Sequence, residues 1–163
     1  MITPVVIRSI QQRDNAAIKA IIQDSLESHG LAIPGSAYFD PQLGDLYGFY
    51  EPLPHAHYWV VEVDGRVVGG VGIAPFGVEG TTAELQKLYL APSARGLGLS
   101  HLLMDKALTF VSKYFQQCYL ETMHSLKAAC ALYEKYGFTL LPEPLPGSEH
   151  SAMDAWYLKD LRS

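Results

Sequence analysis

Apolar side chains recur at Ile18, Ile21, Ile22 and Leu26 within RDNAAIKAIIQDSLESHG, the spacing of one helix face that Asp14 or Asn15 can cap and Gly30 can end. Ahead of it, VVIRSI reads as a strand. The period changes at His57, where HYWVVEV and RVVGGVGIAP form two β-rich runs about Asp64-Gly65. A two-residue Asp-Gly between such runs predicts a hairpin. TAELQKLYLAP then predicts a strand, GLSHLLMDKALTFVSKYF a long amphipathic helix, CYLET a strand, LKAACALYEKYG a helix closed by Gly137, and FTLL a strand. After the Pro-rich PEPLPGSEH, SAMDAWYLKDL closes as a last strand. The stretch LAIPGSAYFDPQLGDLYGFYEPLP holds too many Pro and Gly residues for one long helix, although Pro41 can open a short one. Its aromatics Tyr38, Phe39, Tyr47, Phe49 and Tyr50 read as a helix packed onto the sheet. Strands thus alternate with helices in an α/β (α+β) pattern. No repeat or linker divides residues 1–163, so one domain is expected.

Composition narrows the partners. The 163 residues carry a formal net charge of −5, which gives no basic footprint for nucleic acid. No run approaches the roughly 18 apolar residues of a membrane span, and MITPVVIRSIQQRDN lacks the apolar core of a secretory signal. A cytoplasmic protein without membrane association is expected. Cys118 and Cys130 lack metal-ligand spacing and read as small core residues, so no metal is expected.

Candidate chemistry concentrates in LYLAPSARGLGLSHLLM, residues 88–104. Gly96 and Gly98 fall where a strand ending near Leu90 turns into a helix beginning near Gly98. A bare backbone there, beside the free first-turn N–H groups and positive dipole end of a helix, suits an anion such as a phosphate. A tight strand-to-helix turn explains the glycines equally well. The stretch is neither a Walker loop nor a Rossmann fingerprint.

The order of residues around it adds a resemblance. ELQKLYLAPSARGLGLSHLL, followed about thirty residues later by YLETMHSLKAACALYEKYGF, resembles the GNAT superfamily of Gcn5-related N-acetyltransferases. Arg95, Gly98 and Ser100 take the positions of that family's Gln/Arg-x-x-Gly-x-Gly/Ala loop. The resemblance implies a GNAT fold: a mixed, mostly antiparallel twisted sheet of about seven strands flanked by about four helices. It implies acetyl-CoA as co-substrate, with the amides of Leu97, Gly98, Ser100 and His101 on its pyrophosphate and Arg95 and Gly96 shaping the loop. The pantetheine arm would pair with the backbone at Leu88 and Leu90, where the strand splays from its neighbour. The partner implied is an amine acceptor, and a homodimer is left open. Three positions depart from the family pattern: Ser100 for Gly or Ala, His101 for Lys or Arg, and Leu126 for an Asn that contacts pantetheine.

Transfer to an amine needs a base, because an alkylamine is mostly protonated at neutral pH. Glu84 is the candidate, eleven residues before Arg95, at an offset where some family members carry a catalytic glutamate. Strict alternation puts it on the face of Gln86, Leu88 and Leu90, where burial would raise its pKa. The alternative is a strand-end glutamate facing water. Tyr133 stands where the family often has the acid that protonates the departing thiolate. It also lies in the core-facing stripe Leu126, Ala129, Cys130 and Tyr133, so a packing role is the alternative. Among the histidines, His124 follows CYLET at a strand end and is kept as an acceptor-site residue, whereas His29, His55, His57 and His150 read as solvated or capping. The competing function is a non-catalytic acyl-CoA-binding module.

Overall fold

The computed structural model describes residues 4–162. In chain order these form β1 (Val5–Ser9), α1 (Asn15–Ser28), α2 (Leu46–Tyr50), β2 (His57–Val63), β3 (Arg66–Phe76), β4 (Thr82–Leu90), α3 (Leu99–Tyr114), β5 (Gln117–Thr122), α4 (Lys127–Lys135), β6 (Thr139–Leu141) and β7 (Ala155–Asp160). The strands make one sheet in the order β1-β2-β3-β4-β5-β7-β6. Only β4 and β5 are parallel neighbours, joined through α3; every other neighbouring pair is antiparallel. This is the mixed, mostly antiparallel sheet with four α-helices expected from sequence.

Each face of the sheet has its own core. Trp59, Val61, Val71, Ile73, Ala83 and Leu85 pack with Leu99, Leu103, Met104, Ala107 and Val111 of α3 and with Tyr133 of α4. On the other face Tyr58, Val60 and Ala74 pack with Ile18, Ile22 and Leu26 of α1 and with Leu46 and Tyr50 of α2. Burial on both faces explains why the central strands read as continuous apolar runs. Gly70 and Gly72 admit the tyrosines: a Cβ there would sit 2.5 Å from the Tyr58 ring and 2.6 Å from the Tyr50 hydroxyl.

The Asp-Gly hairpin forms as predicted, with Asp64 and Gly65 both at positive φ (54° and 80°) and Val63 opposite Arg66. Pro41 opens a 3-10 turn over Pro41–Gly44, and α2 follows it. The start of α1 differs from expectation. Asp14 takes the N-cap position, but its side chain makes no capping bond to α1; its carboxylate accepts the Gln11 N–H at 2.8 Å and the Arg8 guanidinium at 2.8 and 3.0 Å. The charge-assisted fork from Arg8 displaces the capping role. Asn15 is already helical, and its Oδ1 accepts the Tyr47 N–H at 3.0 Å, docking α2 on α1.

Candidate active site

The sheet opens between β4 and β5. The two pair only where Thr82–Glu84 face Gln117–Tyr119; β5 then continues along β7 and β4 along β3. The parting coincides with a β-bulge. Gly72 faces Gln86 and Gly70 faces Tyr89, so Lys87 and Leu88 share the single partner position at Val71. Lys87 absorbs the extra residue with φ 52°, in the left-handed region.

This bulge corrects the expectation from strict alternation. Ala83, Leu85, Leu88 and Leu90 pack on the α3 side, whereas Tyr89 packs on the α1 side. Gln86 lies on the α1 side as well, accepting the Tyr50 hydroxyl at 2.5 Å and donating to Glu84 at 2.7 Å. Glu84 therefore does not share a face with Leu88 and Leu90; the inserted residue shifts the pleat by one.

At the gap a cleft of about 420 Å³ runs between the end of β4, the loop before α3, the end of α1 and the first turns of α4. Leu88, Leu90, Arg95, Gly96 and Ser100 line it, with Leu126, Ala129 and Tyr133 opposite. The loop is built for backbone exposure. Gly96 and Gly98 have φ 81° and 75°, and a Cβ on either would meet open space. Gly98 is the N-cap of α3, with no side chain capping the helix, so the first-turn amides have no side-chain cap. Leu97 is 59% exposed and, with Gly98, lies outside the cleft lining. His101 turns its ring to Tyr136, with Nδ1 3.3 Å from that hydroxyl, and also lies outside the lining.

A second cavity of about 400 Å³, toward α2 and the end of β3, is lined by Phe49, Leu53, Pro75 and Phe76 and by Glu84, Gln86, Lys87 and His150. A smaller space of about 110 Å³ lies between them, sharing Leu88, Leu126 and Tyr133 with the cleft and Glu84, Lys87 and His150 with the cavity. Both sequence candidates for proton transfer, Glu84 and Tyr133, line this passage.

The polar groups here form a network that the sequence reading missed. Lys87 Nζ lies 2.9 Å from Asp40, and His150 Nε2 lies 3.1 Å from the same carboxylate. His150 Nδ1 faces Glu121 Oε1 at 3.7 Å. The hydrogen bonds to Asp40, and then the nearby Glu121 carboxylate, push the His150 pKa up to about 9 against the effect of burial, so the ring is charged at neutral pH. Burial pushes Glu84 above the usual carboxylate range, opposed by the Gln86 hydrogen bond and assisted by the charge of Glu121. Burial also holds the Tyr133 phenol above its ordinary value, so it stays protonated. That side chain is only 7% exposed and packs near Phe138 and Tyr157, yet its hydroxyl makes no hydrogen bond among the described residues.

His150, read from sequence as solvated, is thus corrected to a charged bridge. Its partners lie far off in sequence, so no local pattern marked it. His124 is exposed and lines none of these spaces; its backbone N–H bonds to Asp154 at 2.8 Å. The aromatic stretch divides: Tyr50 is buried, Phe49 lines the cavity, and Phe39 is exposed. Glu121 had one legible signal, its place two residues beyond Tyr119 at the carboxyl end of β5. Cys118 is buried, and burial pushes its thiol up to about 12, as suits an inert core residue.

The pattern of the acetyltransferase (GNAT) family matches residues 18–138. Over 159 residues the chain is 42% identical to the uncharacterized N-acetyltransferase YjgM of Escherichia coli (strain K12), a match spanning 96% of this chain and 95% of that protein. A GNAT-family acetyltransferase from Staphylococcus aureus Mu50 superposes with a TM-score of 0.84 at 18% identity, over 98% of this chain and 100% of that one. The PaiA N-acetyltransferase of Thermoplasma acidophilum, solved in complex with coenzyme A, superposes with a TM-score of 0.69 at 18% identity, over 96% and 99% of the two chains.

Proposed function

Because the chain belongs to the acetyltransferase (GNAT) family, we propose that it transfers an acetyl group from acetyl-CoA to a primary amine by direct attack in a ternary complex. One observation carries the reading: a smaller space at the gap between β4 and β5 shares walls with both the cleft and the cavity, and it is lined by a carboxyl and a phenol of opposite proton-transfer character.

The cleft fits the co-substrate. Open space at Gly96 and Gly98 and the uncapped first turn of α3 suit a pyrophosphate, and the edge of β4 beyond Glu84, unpaired by β5, suits an extended arm. In this reading the amides of Leu97, Gly98, Ser100 and His101 hold the pyrophosphate, Arg95 and Gly96 shape the loop, and the backbone at Leu88 and Leu90 aligns the arm. Acetyl-CoA supplies an acyl carbon activated as a thioester. Glu84, ionised, accepts a proton from the acceptor ammonium, directly or through water, and frees the lone pair that forms the C–N bond. The Leu88 N–H stabilises charge developing on the carbonyl oxygen. Tyr133 donates its phenolic proton to the sulfur as the C–S bond breaks, and the phenolate recovers a proton from the newly bonded nitrogen, which sheds its second.

The test is CoA release from acetyl-CoA across a panel of primary amines, with mass spectrometry of the products. Amine-dependent release and an acetylated amine are expected. Tight acetyl-CoA binding with no turnover on any amine would leave only an acyl-CoA-binding module.

A further inference from the structure

We infer that Glu121, near the end of β5, holds the ammonium of the acceptor, and that the acceptor is an alkyl or arylalkyl primary amine with no carboxylate beside the reacting nitrogen. The inference rests on the acetyl-transfer reading and deepens it.

The first observation is an unmet bond. The Glu121 side chain is 3% exposed and lines the passage between the two spaces. Its Oε2 accepts the Tyr119 hydroxyl at 2.8 Å, but its Oε1 has no hydrogen-bond partner among the described residues. The cation nearest it in the network, His150 Nδ1, stands 3.7 Å away, too far for a hydrogen bond. A buried carboxylate oxygen left without a donor costs stability, so its position calls for a donor that arrives with a ligand.

The second is where that oxygen sits. Glu84 faces Tyr119 across the last paired position of β4 and β5. Glu121 lies two residues further along β5 on the face of Tyr119, about 7 Å beyond. The two carboxyls flank the point where the strands separate. An ammonium carries three donors and can reach both groups in turn. Glu121 then holds the cation and Glu84 removes its proton, so two carboxyls take two roles.

The third is charge. Asp40, Glu84 and Glu121 gather here, and the exposed Glu149 lies at the cavity rim. The cations of this cluster are Lys87 and His150, and both are engaged by Asp40. An acceptor with a carboxylate beside its amine would bring that group against Glu84 and Glu121 without a free cation to receive it. Phe49, Leu53, Pro75 and Phe76 give the cavity an apolar wall, beside Gln42, that suits hydrocarbon.

A matched pair tests this: n-butylamine and 2-aminopentanoate, which differ only by a carboxylate on the carbon bearing nitrogen. The parent enzyme should prefer butylamine in kcat/KM. E121Q should raise the butylamine KM about 10- to 100-fold, as for loss of a hydrogen bond to a charged group, while the acetyl-CoA KM stays at the parent value. E121D, which keeps the charge, should lie between. Butylammonium binding to the CoA-saturated protein is measured separately by calorimetry, and E121Q should weaken it about tenfold or more. That binding, seen without turnover on any amine, would sink the transfer reading and leave the anchor standing. A parental butylamine KM and affinity in E121Q, with only the melting temperature lowered, would reduce Glu121 to a tether for His150. A parent enzyme that prefers 2-aminopentanoate would overturn the acceptor class.

Discussion

His150 Nε2 lies 3.1 Å from both carboxylate oxygens of Asp40 and so ties the loop before β7 to the segment before α2, across 110 residues of sequence. Lys87 meets Asp40 from β4 at 2.9 Å, so one carboxylate joins three parts of the chain at the rim of the gap between β4 and β5.

That bridge depends on pH. The His150 pKa is raised from 6.5 to about 9, chiefly by Asp40 and then by Glu121, while burial and Lys87 oppose the rise. A raised folded-state value means that the contribution is fully present below the ordinary value and is lost as pH climbs through the folded one. The shift corresponds to stabilisation on the order of 3 kcal/mol. H150Q should melt several degrees below the parent near pH 6, and the gap should close by about pH 10. Parallel melting curves across that range would remove the ion pair from the stability of the fold.

Glu84→Gln tests the base. The carboxyl of Glu84 is raised by burial and by Glu121, against Gln86, His150 and Lys87, so the acid limb of the parent pH profile should sit above the ordinary carboxylate value of 4.5. The substitution should lower kcat/KM for a protonated amine about 100-fold. The deficit should shrink at high pH, where solvent supplies neutral amine. An unchanged profile would exclude Glu84 from proton transfer.

Gly98→Val tests the loop. Residue 98 holds φ 75°, which a β-branched residue adopts only under strain, and its side chain would project into the open space ahead of α3. Acetyl-CoA binding should be abolished in calorimetry while circular dichroism reports an intact fold. Parental affinity would disconnect the loop from the co-substrate.

Tyr133→Phe separates catalysis from packing. The ring contacts with Phe138 and Tyr157 survive, and the lost hydroxyl bonds to no described residue, so the melting temperature should move little. If the hydroxyl protonates the leaving thiolate, kcat should fall about 10- to 1000-fold with acetyl-CoA affinity unchanged. The small end of that range is expected, because a thiolate with a pKa near 8.5 leaves readily. Parental kcat in a chemistry-limited reaction would leave Tyr133 as a core residue.

The legible parts of the structure were the local ones. Asp64-Gly65 announced its hairpin because the turn needs two residues at positive φ. The stripe ending in Tyr133 announced a buried face because helical period is local. Gly96 and Gly98 marked a bare loop for the same reason. The bulge at Lys87 was not legible: a lysine at φ 52° carries no composition signal, and the register that imposes it comes from β3. The faces of Leu88 and Leu90 followed it out of reach. Asp40, Glu121 and His150 meet only in the folded chain, so His150 read alone as solvated or capping and the two carboxylates drew no reading.

The bulge at Lys87 also gives the molecule a form of modularity. It puts Glu84, Gln86 and Lys87 on one side of the sheet and turns Leu88 and Leu90 to the other, within a stretch of seven residues. The proposed donor side relies on main-chain groups and small residues, which tolerate little exchange. The opposite side relies on side chains, which substitution can replace singly. Mutational drift can therefore reshape the cavity while the cleft stays as it is, and because Lys87 is the extra residue of the bulge, its deletion would restore regular alternation with both sets still on their own faces.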